Sequence, residues 1–170
     1  MLTQERTEAV CSRCGGAAKS TVGNYRFTET GLENVVLLGI ELICCPSCKN
    51  VDPVIRSMNR VMRVLAAGIA GKPCKLNGKE IRFLRKYLKM TGNEFAGLLG
   101  TDKTTISKWE NDEQTPGERA DRLVRAVALI LGDGLGEYTK TVVRQFPEIN
   151  EVIRGVEYKL DPESHTCEYA

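Results

Sequence analysis

The sequence predicts an α+β protein: a small N-terminal metal module with short antiparallel strands, followed by an all-helical domain. Three observations carry this expectation. Two Cys-x-x-Cys pairs, Cys11/Cys14 and Cys45/Cys48, stand with 30 residues between them. Tyr25 to Phe27 and Val35 to Ile43, lying between the pairs, read as strands. From Lys79 onward, apolar residues recur at helical spacing and two helix caps follow closely.

Each Cys-x-x-Cys bends the backbone so that two sulfurs converge on one ion, and four thiolates make a closed tetrahedral zinc site. Gly15 and Gly16 after the first pair, and Pro46 within the second, favour the turns. The expected cofactor is one structural zinc ion per chain, held by Cys11, Cys14, Cys45 and Cys48. An iron centre or a redox dithiol is the alternative. Cys44 adjoins Cys45 but points to the opposite face of an extended strand, where it reads as a small buried residue. Cys74 and Cys167 read as bystanders. A module of about fifty residues buries little apolar area, so the metal supplies much of its folding energy. A closed site leaves no coordination position for catalysis.

Of the 170 residues, 42% are hydrophobic and 27% charged, ordinary values for a soluble protein. No apolar run reaches membrane-spanning length and the first residues do not resemble a signal peptide, so the expected location is the cytoplasm. Residues 1–52 carry 5 basic and 6 acidic groups, whereas 53–125 carry 15 basic and 8 acidic. The middle of the chain is therefore the part that meets a polyanion, and the metal module suits protein binding or structural support.

Pro53 to Ala70 reads as a joining helix with Asp52 as its cap and an apolar stripe of Val54, Met58, Val61, Met62 and Leu65. Arg56, Arg60 and Arg63 lie apart from that stripe, for phosphate or for solvent. Gly71 and Pro73 then mark a linker at about 70–77.

Lys79 to Lys89 reads as the first helix of the helical domain, with Ile81, Leu84 and Leu88 inward. Thr91 and Glu94 form a capping box for a short helix 92–99 that ends at Gly100. Asp102 caps a further helix 103–111, with Ile106 inward. Two short helices joined by a tight turn predict a helix-turn-helix whose second member enters the major groove. Thr104 and Lys108, one turn apart, are the expected base contacts. Lys103 and Thr105 are expected on the DNA backbone, and Ser107 suits either role. Arg82 and Arg119 are further phosphate candidates. Trp109 reads as a packing residue, and Glu110 as the partner of a basic residue such as Arg85 or of a backbone group.

Glu118 to Leu131 reads as a helix with a broad apolar stripe (Ala120, Leu123, Val124, Val127, Ile130) that serves the core and a two-fold interface. Residues 137–156 read as one or two short helices broken near Pro147, and the last residues as loose. His165, the single histidine, reads as an exposed end residue. The expected division is thus 1–52 metal module, 53–77 linking helix and linker, 78–131 DNA-binding domain and 132–170 helical tail extension.

CSRC at 11–14, CPSC at 45–48 and TGNEFAGLLGTDKTTISKWEND at 91–112 together resemble the MqsA/YgiT family of zinc-finger/helix-turn-helix antitoxins and repressors. The helical part also resembles the wider Xre/Cro class. The resemblance spans about residues 11–130. It implies a small N-terminal four-cysteine zinc module followed by an all-helical Xre/Cro-like helix-turn-helix domain. It also implies a homodimer formed mainly through the C-terminal domain, and binding to a double-stranded operator at an operon promoter. An Asn and an Arg that read bases in the family fall on Thr104 and Lys108, so a different operator is expected. Gly92 stands where the wider class usually has glutamine, which removes one contact. In such antitoxins the zinc module clamps a ribonuclease toxin, so a cognate toxin is an expected partner. The alternatives are a solitary zinc-containing regulator without a toxin and a zinc-stabilised protein-interaction adaptor. No catalytic set is evident, and an enzyme is not expected.

Overall fold

The computed structural model describes residues 8–150, 152 and 155–170. Strands β1 (Glu8–Val10), β2 (Ala17–Arg26), β3 (Val35–Cys44) and β4 (Val51–Val54) come first. Helices α1 (Met58–Gly71), α2 (Gly78–Tyr87), α3 (Gly92–Leu98), α4 (Lys103–Glu110), α5 (Glu118–Leu131) and α6 (Gly136–Gln145) follow. A 3-10 turn at Phe146–Glu148 leads to a final hairpin, β5 (Tyr158–Asp161) and β6 (Thr166–Tyr169). The mixed architecture matches the expected α+β class.

The sheet differs from expectation at both of its junctions with the helices. Val51 to Val54 pair antiparallel with Glu41 to Cys44. The helix expected from Pro53 therefore starts at Met58, capped by the Ser57 hydroxyl, which accepts from the Arg60 N–H at 3.4 Å. Proline is tolerated here because β4 lies at a sheet edge. Asp52, expected as the cap, instead accepts a hydrogen bond from the Ser12 hydroxyl at 2.6 Å.

The tail departs further. The last residues, expected to be loose, instead supply β6 and the hairpin turn to it from β5, so among the described residues the tail is helical in α6 and the short turn; residues 151, 153 and 154 of the helices expected over 137–156 lie outside the described residues. Moreover, β5 pairs parallel with β3, placing Val35 opposite Tyr158 and Leu37 opposite Leu160. The end of the described chain thus extends a sheet begun near its start. His165 lies in the hairpin turn with a φ of 61° and is exposed.

This pairing draws the sheet and the helices onto one apolar core. Val35 and Leu37 of β3, Leu65 and Ile69 of α1, Ile81 and Leu84 of α2, Phe95 of α3 and Ala128 and Leu129 of α5 are all fully buried members of it. A fully buried aliphatic or aromatic side chain of this size contributes about 1.5–3 kcal/mol. Among the described residues the metal end has a satellite cluster: Cys11, Ala18 and Cys45.

The segment 70–77 alternates between core and surface: Lys72, Cys74 and Leu76 are 0%, 4% and 0% exposed, whereas Pro73 is exposed. Its polar groups find partners in α5 and α2. Arg125 donates to the carbonyls of Ala70 (2.9 Å), Lys72 (2.7 Å) and Cys74 (2.6 Å), and to Asp121 at 2.7 Å. Asp121 also accepts from the Leu76 N–H at 2.8 Å. Lys72 donates to both oxygens of Glu80, at 3.0 and 2.9 Å. The Tyr158 hydroxyl donates to Glu80 at 2.6 Å. Burial pushes the Tyr158 phenol well above its ordinary pKa, which keeps it a donor. Buried charges persist only when paired and hydrogen-bonded in this way.

Candidate metal centre and nucleic-acid interface

The two Cys-x-x-Cys segments are built alike. In the first, the Cys11 N–H donates to the Gly16 carbonyl at 2.9 Å, and the Gly15 N–H to the Cys11 carbonyl at 3.0 Å. In the second, the Cys45 N–H donates to the Asn50 carbonyl at 2.9 Å, and the Lys49 N–H to the Cys45 carbonyl at 3.0 Å. Each turn needs a left-handed residue, Gly15 (φ 71°) and Lys49 (φ 61°). The β2–β3 pairing, with Lys19 opposite Cys44, brings the turns together.

The four sulfurs all lie within 4.8 Å of one another and could hold a metal ion. Cys11 and Cys48 are 3.5 Å apart, and Cys14 and Cys45 3.6 Å. A tetrahedral zinc site with Zn–S bonds of about 2.3 Å has sulfur–sulfur edges of about 3.8 Å, so the spacing fits. A backbone N–H of Cys48, with further hydrogen bonds to the sulfur, lowers the Cys45 thiol to about 6, while burial and the three neighbouring sulfurs raise Cys48 to about 12, so the crowded sulfurs hold their charge unequally without an ion. Cys44 is half-buried on the strand, and its sulfur lies 3.6 Å from the Thr21 hydroxyl. Cys74 is buried, and burial raises Cys167 to about 12.

At the other end, α3 and α4 have the expected caps. Thr91 and Glu94 form a reciprocal capping box. Asp102 accepts from the Thr105 N–H at 2.8 Å. Gly100, with a φ of 66°, makes the turn between the helices. The inward face of α4 is fixed on three sides. Ile106 and Trp109 enter the core, at 2% and 7% exposed. Glu110 accepts from Arg85 at 2.6 and 2.9 Å and from Arg82 at 3.2 Å. Arg82 also donates to Asn111 at 2.7 Å, which ties down a side chain read as a phosphate candidate. Hydrogen bonding to Glu110 raises the Arg85 pKa.

The outward face of α4 carries Lys103, Thr104, Ser107 and Lys108, all exposed. Thr105 is half-buried, and its hydroxyl donates to Asp102 at 2.9 Å, so it serves the cap. On α5, Val124 is fully buried and Val127 nearly so, whereas Leu123 and Ile130 are 41% and 69% exposed. The broad stripe is therefore divided between the core and the surface. Arg119 is exposed.

Two structural groups lay outside the sequence reading: the Arg125–Asp121 pair and Tyr158–Glu80–Lys72. The i,i+4 spacing of Asp121 and Arg125 was a visible signal for the first, though not for its burial. Nothing local pointed to the second.

The family model for a helix-turn-helix domain matches residues 78–141, which covers α2 to α5 and half of α6. No curated protein and no solved structure matches the chain. The match and the exposed polar face of α4 support a DNA-binding regulator. Among the described residues no helix is long and apolar enough to cross a membrane.

Proposed function

We propose that the chain is a sequence-specific DNA-binding repressor that reads an inverted repeat as a homodimer. The observation that carries this reading is the two-faced α4. Ile106, Trp109 and Glu110 anchor it, while Thr104 and Lys108 face outward one turn apart. A helix held this rigidly can enter a major groove without rearrangement. Lys108 donates to guanine O6 and N7, and Thr104 offers its hydroxyl or methyl to a neighbouring base. Lys103 and Ser107 contact phosphate, with Thr105 holding the cap that orients them. The exposed Leu123 and Ile130 of α5 supply an apolar surface for the two-fold partner.

In this reading Cys11, Cys14, Cys45 and Cys48 hold one structural zinc ion per chain. The ion fixes the relative placement of the two turns and leaves no open position for chemistry. The resemblance to MqsA/YgiT proteins supports a second role as antitoxin of a type II toxin–antitoxin operon, with the metal module contacting a ribonuclease toxin. The exposed Val10, Val22 and Val51 give that module an apolar surface. A ribonuclease-like reading frame adjacent to the gene, and co-purification of its product, is the expected outcome for this role. A gene with no such neighbour leaves the solitary regulator.

The DNA reading is tested by titrating the protein's own promoter repeat at several salt concentrations. Lys108→Ala is expected to weaken binding by about 1–3 kcal/mol and to relax preference at one base pair, with an unchanged unfolding temperature. Affinity should fall steeply with salt as counterions are released. Equal affinity and equal sequence preference for the variant would overturn the assignment of α4 as the reader.

A further inference from the structure

We propose that the cleft between α1, α6 and the β5–β6 hairpin is a binding site for an uncharged, largely apolar small molecule. Its volume is ≈ 480 Å³, inside the roughly 300–1,000 Å³ range of small-molecule sites. Ala67 and Gly71 of α1 form a floor with almost no side chain. Val64, Val142 and Phe146 supply apolar walls. Thr141, Gln145 and His165 stand at the exposed rim, where a polar group on the ligand can reach them.

Protein interiors close around voids unless something holds the walls apart. Here the hairpin wall is pinned at two points. The Tyr169 hydroxyl donates to the Gly68 carbonyl at 2.7 Å, and the Tyr158 hydroxyl to Glu80 at 2.6 Å. The floor is fixed as well, because Arg125 clasps the carbonyls of Ala70, Lys72 and Cys74. With both surfaces tied by polar bonds, the cleft cannot collapse by a rigid shift of the hairpin onto α1.

The same bonds define the ligand's charge. Lys72 and Arg125 line the cleft, but each is already neutralised, by Glu80 at 2.9 Å and by Asp121 at 2.7 Å. A charged ligand would lose its hydration without gaining an ionic partner at the floor, and Glu148, the carboxylate of the lining, is exposed to solvent, where a pairing with a cation is worth little. A neutral aromatic or alicyclic molecule with one hydrogen-bonding group suits the lining.

The test uses the full chain and N-phenyl-1-naphthylamine, an uncharged aromatic amine that fluoresces on entering apolar surroundings. Saturable binding of one molecule per chain is expected. Thr141→Trp and Gln145→Trp, at exposed rim positions of α6, are expected to weaken it by about tenfold or more through filling the ligand's space, with unchanged unfolding temperatures. Leu98→Ser, which removes an exposed apolar side chain on α3, is expected to bind like the parent. Absence of saturable binding, more than one molecule per chain, equal binding by both tryptophan variants, or weakened binding by Leu98→Ser would overturn the site.

Discussion

The metal end and the helical end of this molecule reach order by opposite routes. Around the four sulfurs, the buried cluster among the described residues is Cys11, Ala18 and Cys45. Around α1, α2 and α5, many apolar side chains pack, and even the ions are enclosed. Among its described residues the first region has little apolar area to hold its own turns, so an ion held by the four sulfurs would supply what packing does not. The second has area to spare and uses buried polar bonds to fix loops in place. The border between them runs inside one strand. Val35 and Leu37 of β3 belong to the large core, and Cys44, at its other end, leads into the metal turn.

Metal removal is the strongest way to break this contrast. Chelating the ion from the loaded protein is expected to abolish amide-exchange protection in residues 9–20 and 43–50, while α1, α2 and α5 stay protected. Structural zinc contributes about 10–16 kcal/mol in isolated zinc-finger peptides, which sets the scale of the effect. Simultaneous loss of protection in the helices would show that the two regions share one source of stability.

Arg125→Met attacks the other side. It removes the cation that Asp121 and the carbonyls of Ala70, Lys72 and Cys74 share. A loss of about 3–5 kcal/mol in denaturant unfolding is expected, with metal content unchanged. A variant as stable as the parent would mean that the clasp contributes nothing beyond what methionine packing restores. Tyr158→Phe is a smaller cut. Glu80 keeps Lys72 and the Asn77 N–H as partners, so the expected loss is about 1.5–3 kcal/mol, the range for a hydrogen bond to a charged group. No change in unfolding would remove the hairpin from the stabilising network.

The smallest expected effect belongs to the caps of the reader. Backbone N–H donation from Thr105 lowers the Asp102 carboxyl below its ordinary value. A depressed carboxyl contributes stability that is present above the unfolded value, near pH 4, and is lost as pH falls through the folded one. The stability difference between the parent and Asp102→Ala should therefore be constant from about pH 5 to 7 and shrink below about pH 4. A difference that persists unchanged in acid would count against the charged cap.

The features legible in the sequence are those whose partners lie close along the chain. The sulfur pairs, the Thr91–Glu94 box, the Gly100 turn and the extent of α5 each depend on a few neighbouring residues, and each stands where expected. Pro53 misled because proline suits a helix start and an edge strand equally, and only the distant Glu41–Cys44 segment decides between them. Tyr158 was opaque for the same reason, since its sheet partner is Val35. Charge counting also overstated the basic middle of the chain. Lys72, Arg82, Arg85 and Arg125 all point their charge at an internal carboxylate, so the face offered to DNA depends on fewer cations than the composition implies.

The parallel pairing of β3 with β5 has a consequence for biosynthesis. While the chain emerges from the ribosome, Val35 to Leu37 present an unsatisfied backbone edge and wait for a complement made much later. The sulfur turns, by contrast, have all their residues once Asn50 has appeared. Early metal capture would therefore anchor the far end of a nascent strand whose near end is still open, reducing the freedom of that edge to pair with a neighbouring polypeptide.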